Sequence, residues 1–197
     1  MFTTCCPLIL ASASPRRRDF LTRLGLEFSI VPAAIDESCN PAESPWNFAR
    51  RMAATKARAV AETNPDACVL GADTVVALDG RIFGKPQSQE EALAMLTTLQ
   101  GRTHQVITGF AIVARARNID EVDAVTTEVT FGTFAEPILQ AYVASGEPMD
   151  KAGAYGIQGI GGFLVDSLSG SCSNVVGLPV HALVRALLDR ALLRAEG

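Results

Sequence analysis

Nowhere does the chain hold the roughly 18–20 uninterrupted apolar residues that cross a bilayer, so no membrane-spanning helix is expected. The opening MFTTCCPLIL is too short, and lacks the basic start, for a secretory signal; a cytoplasmic setting follows. Histidine is scarce, with only His104 and His181. The five cysteines (Cys5, Cys6, Cys39, Cys68 and Cys172) are odd in number and show no CxxC spacing. That combination argues against a zinc site, and the cysteines read as small core or surface residues. Positive charge is not in excess either. The 21 acidic side chains outnumber 17 basic ones, for a net charge of −4, and no basic-aromatic surface pattern occurs. Nucleic acid and membrane are therefore not indicated as partners, while a local basic site for a small anion fits the balance. Three catalytic signatures are missing: GxxxxGK[ST], GxGxxG after a strand, and GxSxG. P-loop, dinucleotide-binding and esterase-elbow chemistry are not signalled. Internal repeats and low-complexity linkers are also absent, so residues 1–197 are expected to form one domain. With 48% apolar residues it can bury a core without disulfides.

What the chain does contain is an intermingling of strand and helix patterns. PLILA (7–11) suits a short buried strand. Ser14-Pro15 then reads as an N-cap and first helical position, with Phe20, Leu21 and Leu24 inward and Gly25 as the stop. A strand is expected at 27–31, followed by a loop with Asp36 and Glu37. Ser44-Pro45 opens a second helix running to about Glu62, where Phe48 and Met52 lie one turn apart and Lys56 is expected on the opposite face. CVLGADTVVAL (68–78) reads as a buried strand interrupted by Gly71, and Asp79-Gly80 as a hairpin turn returning through Ile82-Phe83. Ser88 caps a helix with Ala92, Met95, Leu96 and Leu99 inward, ended by Gly101. Strands follow at about 104–114 and 122–133, the second with Val125, Thr127, Val129 and Phe131 on one face. A helix near 136–144 leads into a glycine-rich segment (153–162), too polar and turn-prone for a core element. A last helix is expected at 180–193, with Val180, Leu183, Val184, Leu187 and Leu188 as its apolar stripe. The whole is a mixed α/β protein.

Two segments carry charges that a core would not select. In SASPRRR (12–18), a strand-to-helix turn presents free backbone N–H groups that favour phosphate, and Ser14, Arg16 and Arg17 add a hydroxyl and two planar forks. Three arginines in a first helical turn oppose the helix dipole, which is relieved when an anion visits; a solvated basic face is the plain alternative. In GADTVV (71–76), Asp73 interrupts an apolar run, tolerable where the strand ends at a cleft and the carboxylate meets a cation or metal, or caps the strand. Acids (Asp73, Glu37 and Asp36) with cations (Arg16, Lys56 and Lys85) suit metal-assisted phosphoryl chemistry: acids hold a divalent ion or activate water, and cations neutralise phosphate oxygens. Gln158 lies among glycines in AYGIQGIGG, where the backbone can approach a flat ligand, and its amide both donates and accepts. It could meet a flat polar ligand; stabilising the loop is the alternative role.

LASASPRRR, GADTVV, FGKP, DKAGAYGIQG and NVVGLP together resemble the Maf nucleotide pyrophosphatases, historically called septum-formation proteins, in order and spacing over residues 8–180. The resemblance implies an elongated two-lobed α/β fold with a central mixed sheet and a deep substrate cleft, similar to the inosine triphosphate pyrophosphatases. It further implies cleavage of a nucleoside triphosphate to monophosphate and pyrophosphate with Mg2+, Mn2+ or Co2+, and often a homodimer. By motif, Asp73 resembles the proton acceptor and Glu37 its acidic partner at the metal. Ser12, Arg17, Lys56 and Lys85 match phosphate-site residues. Arg16, Thr74 and Gln158 match positions that separate branches by base, here the dTTP/UTP branch, which implies that Gln158 pairs with O4 and N3–H of uracil or thymine, where cytosine offers the opposite pattern. Other bases (7-methyl-GTP or inosine nucleotides) and a binding-only septation regulator stay open as alternatives. Cys172 stands where a tyrosine is usual, a departure that bears on base preference.

Overall fold

Leu8, Leu10, Leu70, Phe110 and Ile112 join one buried cluster, and the intervening Ile9, Val69, Ala111 and Val113 join another. Strands with period-2 alternation between two apolar layers must be covered on both faces, and helices supply the cover. The computed structural model describes residues 2–40 and 42–195. Its strands are β1 (Phe2–Thr4), β2 (Leu8–Leu10), β3 (Ser29–Ile30), β4 (Cys68–Leu78), β5 (Arg81–Phe83), β6 (Thr103–Ala114), β7 (Ile119–Phe131), β8 (Val165–Ser169) and β9 (Leu193–Ala195). Its helices are α1 (Pro15–Arg23), α2 (Pro45–Thr63), α3 (Gln89–Leu99), α4 (Glu136–Ala144), α5 (Cys172–Val176) and α6 (Val180–Asp189). The main sheet runs β3-β2-β4-β6-β7-β8, with β5 also on β4. β2 is parallel to β3 and β4, while β4–β5 and β7–β8 are antiparallel, which makes the expected mixed sheet.

The chain divides into two compact units: residues up to Asp73, Thr108–Val125 and Gly177 onward in the first, Thr74–Ile107 and Thr126–Val176 in the second. In the first, Leu21 of α1 with Leu183, Ala186 and Leu187 of α6 covers one face of the strands. α2 covers the other through Ala53, Ala54, Ala57, Val60 and Ala61. Its small side chains bring the helix backbone against the sheet: Gly71 and Gly109 lie directly under the carbonyls of Ala53 and Ala49, where a Cβ has no room. Gly71 therefore does not interrupt β4; it is where the helix seats on it. In the second unit, α3 (Ala92, Met95, Leu96 and Leu99) and α4 (Leu139, Tyr142 and Val143) pack with Val106, Val129 and Phe131.

Local signals place most boundaries. Ser44 Oγ accepts from Asn47 N (3.2 Å) and Ser88 Oγ from Glu91 N (3.2 Å), both as N-caps. Four readings need correcting. Ser14 occupies the N-cap of α1 but its hydroxyl makes no capping bond; its amide instead donates to Ser12 Oγ (3.3 Å). The last helix ends at Asp189, because Ala191 turns left-handed (φ 53°) and Leu193 enters an antiparallel pair with β1. Ala186 rather than Leu188 completes the buried stripe, and Leu188 is exposed. The segment 153–162 contains two short 3-10 turns, yet its first residues reach the core: Ala154 and Tyr155 are buried.

Candidate active site

Period-2 geometry carries the seat of α2 forward to the first charged residue of β4. Gly71 faces Ala53 and Ala57, so Asp73, two residues on, faces the same helix. Lys56 meets it there. The side chain is buried on the same face as Phe48 and Met52, not opposite them, as the 48, 52, 56 spacing requires. Lys56 Nζ donates to Asp73 Oδ1 at 2.7 Å and forms an ion pair with Glu37 Oε1, also at 2.7 Å. Asp73 and Lys56 are nearly enclosed, whereas the Glu37 side chain is 60% exposed. Two carboxylates thus converge on one cationic point, one from the sheet and one from a surface loop.

The N-terminus of α1 supplies the next cation. Of the three consecutive arginines, Arg16 is half-buried, Arg17 buried and Arg18 exposed. Arg17 Nε donates to the Gly177 carbonyl (2.9 Å) and its Nη1 to Ser12 Oγ (2.9 Å). Burial lowers its pKa from the ordinary value, opposed by the field of Asp73, assisted by that of Arg16, and opposed again by that of Glu37. A guanidinium remains charged regardless, so Arg17 is a fixed positive centre facing the acids. Gly177, within NVVGLP, adopts φ 121°, a left-handed region that favours glycine, and thereby turns its carbonyl to Arg17. The motif match alone marked it, without a role.

The loop before α2 is braced independently. Asp36 accepts from Ser38 N (2.9 Å) and from Ser38 Oγ (2.9 Å); these bonds hold its carboxyl below the usual range. Asp36 therefore shapes the loop rather than joining Glu37 at Lys56. Arg51 grips Glu43 through Nε (2.7 Å) and Nη2 (2.6 Å) and donates to the Ser38 carbonyl (3.0 Å).

Ser12, Ser14, Arg16, Arg17, Glu37, Lys56 and Asp73 all belong to the first unit, and Ser12, Arg17, Glu37, Lys56 and Asp73 are linked there by the bonds and fields above. Thr74, Lys85 and Gln158 belong to the second. Thr74 is half-buried on β4, Lys85 is exposed just beyond β5, and Gln158 is exposed in a turn closed by Gly159 N to the Gly156 carbonyl (3.3 Å). Two residues that pattern reading missed organise that turn. Glu147 accepts from Ile160 N (2.8 Å) and Gly161 N (2.9 Å), and Tyr142 donates its hydroxyl to Glu147 Oε1 (3.0 Å). Cys172 is exposed at the start of α5. Among the described residues, no group of three or more His, Cys, Asp or Glu stands together as a metal cage, and no helix is long and apolar enough to cross a membrane.

The arrangement can hold a polyanion against Arg17 and Lys56 while presenting two carboxylates to it. Carboxylates beside phosphates repel unless a divalent cation intervenes. Comparison with known proteins finds chains similar along nearly the whole length. A dTTP/UTP pyrophosphatase of Desulfotalea psychrophila is 54% identical over 182 residues, covering 92% of this chain and 93% of that protein. A dTTP/UTP pyrophosphatase of Myxococcus xanthus is 51% identical (93% and 92% covered), and one of Thermococcus kodakarensis 49% identical (89% and 93%). Among solved structures, the Staphylococcus aureus Ham1 protein matches with a TM-score of 0.50 over 93% of this chain and 98% of its own, at 16% identity, which bears on fold alone. A family model described as Maf-like protein matches residues 7–190; with relatives this similar along nearly its whole length, the chain belongs to the Maf family.

Proposed function

We propose that the chain is a nucleoside triphosphate pyrophosphatase that hydrolyses dTTP and UTP to the monophosphate and pyrophosphate. The observation that carries it is the convergence of Asp73 and Glu37 on Lys56 beside the buried Arg17. The names of its relatives supply the substrate class. On this reading a water attacks the α-phosphorus, Asp73 accepts its proton, and the bond to the β,γ-diphosphate breaks to release pyrophosphate. Lys56 holds Asp73 in place and, with Arg17, Ser12, Ser14 and Lys85, neutralises and orients phosphate oxygens. Arg16, Thr74 and Gln158 select the base, with Gln158 pairing to the pyrimidine edge.

The donor set fits a divalent metal. Glu37 and Asp73 are hard oxygen donors already drawn to one cation, and Mg2+ characteristically takes one or two carboxylates, the rest of its shell being water and substrate phosphate. When bound, such an ion would offset phosphate charge and lower the pKa of a coordinated water. A cytoplasmic homodimer without nucleic-acid partners completes the proposal.

The test is a panel of dTTP, UTP, CTP, GTP, ITP and 7-methyl-GTP with Mg2+, Mn2+ or EDTA, resolving monophosphate, diphosphate, phosphate and pyrophosphate. The expected result is dTMP or UMP with pyrophosphate, abolished by EDTA and restored by metal. Diphosphate and free phosphate as products would overturn the reaction. CTP or 7-methyl-GTP as the best substrate would overturn the base assignment alone. Binding without turnover in any metal would mark a regulator.

A further inference from the structure

The turn that carries Gln158 is built around one carboxylate. Glu147, in the 3-10 turn after α4, accepts the amides of Ile160 and Gly161 and the hydroxyl of Tyr142. The same hydroxyl accepts from Gly156 N (3.3 Å), so one ring bridges both ends of the segment 156–161. Three glycines let the chain wrap this closely. A Cβ at Gly159 would strike the Glu147 carboxylate, one at Gly161 the Tyr142 hydroxyl, and one at Gly156 the Lys151 side chain (2.6 Å). Lys151 in turn donates to the Glu147 carbonyl (2.7 Å) and to Asp150 (2.6 Å). Burial works against the Glu147 charge, but the two amides, the Tyr142 hydroxyl and Lys151 outweigh it and hold its carboxyl below the ordinary value. The turn is therefore organised before any ligand arrives.

We propose that Glu147 is a positioning residue for base selection: by clamping the amides of Ile160 and Gly161 it fixes the backbone from which the exposed Gln158 side chain projects. This rests on the reading that Gln158 pairs with the base. An amide side chain meets a base edge in a constant place only if the backbone that carries it is held, and the clamp supplies that restraint. A carboxylate is required. Both of its oxygens accept from main-chain N–H groups, so a glutamine of equal size would place its NH2 against at least one of those donors.

The experiment compares kcat and KM for dTTP and CTP in the wild type, Glu147→Gln, Tyr142→Phe and Gln158→Ala, with hydrogen exchange of the 156–161 amides measured without nucleotide. A wild-type dTTP preference in kcat/KM of roughly 10- to 100-fold is expected, the size of one or two mismatched polar groups. In Glu147→Gln it should shrink about tenfold through a higher KM for dTTP, with kcat near wild type, and the Ile160 and Gly161 amides should exchange faster. Tyr142→Phe, which removes only the hydroxyl, should move both readouts in the same direction by less, and serves if Glu147→Gln does not fold. If Gln158→Ala loses discrimination while folded Glu147→Gln or Tyr142→Phe keeps it, the positioning role is overturned and the base reading stands. If Gln158→Ala leaves discrimination unchanged, both fall.

Discussion

Asp73 and Lys56 show how one residue's worth depends on its neighbours. The carboxylate is enclosed and touches a lysine that also holds Glu37, so replacing Asp73 by asparagine keeps the shape and leaves Lys56 one acid partner. On the proposed mechanism, Asp73→Asn removes the proton acceptor and should lower kcat by on the order of 100- to 10,000-fold. The melting temperature should stay close to wild type. Steady-state kinetics with a thermal melt check this; a near-normal kcat would shift the acceptor role to Glu37. The Glu37–Lys56 pair itself adds little to stability, because its Glu37 end is 60% exposed and solvent-screened ion pairs contribute about 0–1 kcal/mol. On the proposed mechanism its position beside Arg17 and Asp73, rather than its strength, is what matters.

At the scale of elements, α2 is the part on which the site depends. Its alanine face and the two glycines beneath it set the height of the helix over β4 and β6, and with it the reach of Lys56. Gly71→Ala would force a methyl group into the Ala53 carbonyl. Overpacking of this kind costs about 1–3 kcal/mol, a fall in Tm of roughly 2–12 °C for a chain of this size. Activity should fall more than stability, since lifting α2 withdraws Lys56 from Asp73. Thermal melts and kcat of Gly71→Ala beside Gly80→Ala test the packing argument. Gly80 has open space around its Cβ position but φ 78°, so it isolates the cost of backbone conformation from that of overpacking. Equal losses at both positions would contradict it.

For the molecule as a whole, acid stability is expected to depend on His104. The ring is buried against Phe131 and Tyr155, with Nε2 2.9 Å from the Tyr155 hydroxyl, and burial pushes its pKa down to about 4. The unfolded ring titrates near 6.5. Between those values the unfolded chain holds a proton that the folded chain does not. This contribution is thus complete above about pH 6.5 and is lost as pH falls toward 4, by on the order of 3 kcal/mol. The clamped Glu147 carboxyl, lowered in the fold, adds a further loss only below about pH 4.3. Urea unfolding at pH 7.5, 6, 5 and 4.5 should show the decline in wild type and a flatter profile in His104→Gln. Parallel profiles would assign the acid sensitivity to other groups.

The sequence by itself determined most of the element list, but not β1, β8, α5 or β9. Caps such as Ser44 and Ser88, the Asp79-Gly80 turn and the inward spacing of Ala92, Met95, Leu96 and Leu99 act within one turn of chain, so their physics is local and legible. Ser12, Arg17, Glu37, Lys56 and Asp73, which the fold brings together, were each singled out in the sequence by charge and motif, whereas Thr74, Lys85 and Gln158 lie in the second unit. The wiring of the site was not legible. The burial of Lys56 depends on where α2 seats on Gly71, and the anchoring of Arg17 on a carbonyl 160 residues away. Asp36 and Glu37 are adjacent in the same loop, yet one turns to Ser38 and the other to Lys56. The β1–β9 pair, β8 and α5 went unread because segments this short carry little periodicity, and Glu147 because its main-chain amide partners leave no side-chain pattern. Only tertiary packing decides such matters, since each is a contact between segments that local propensity leaves independent.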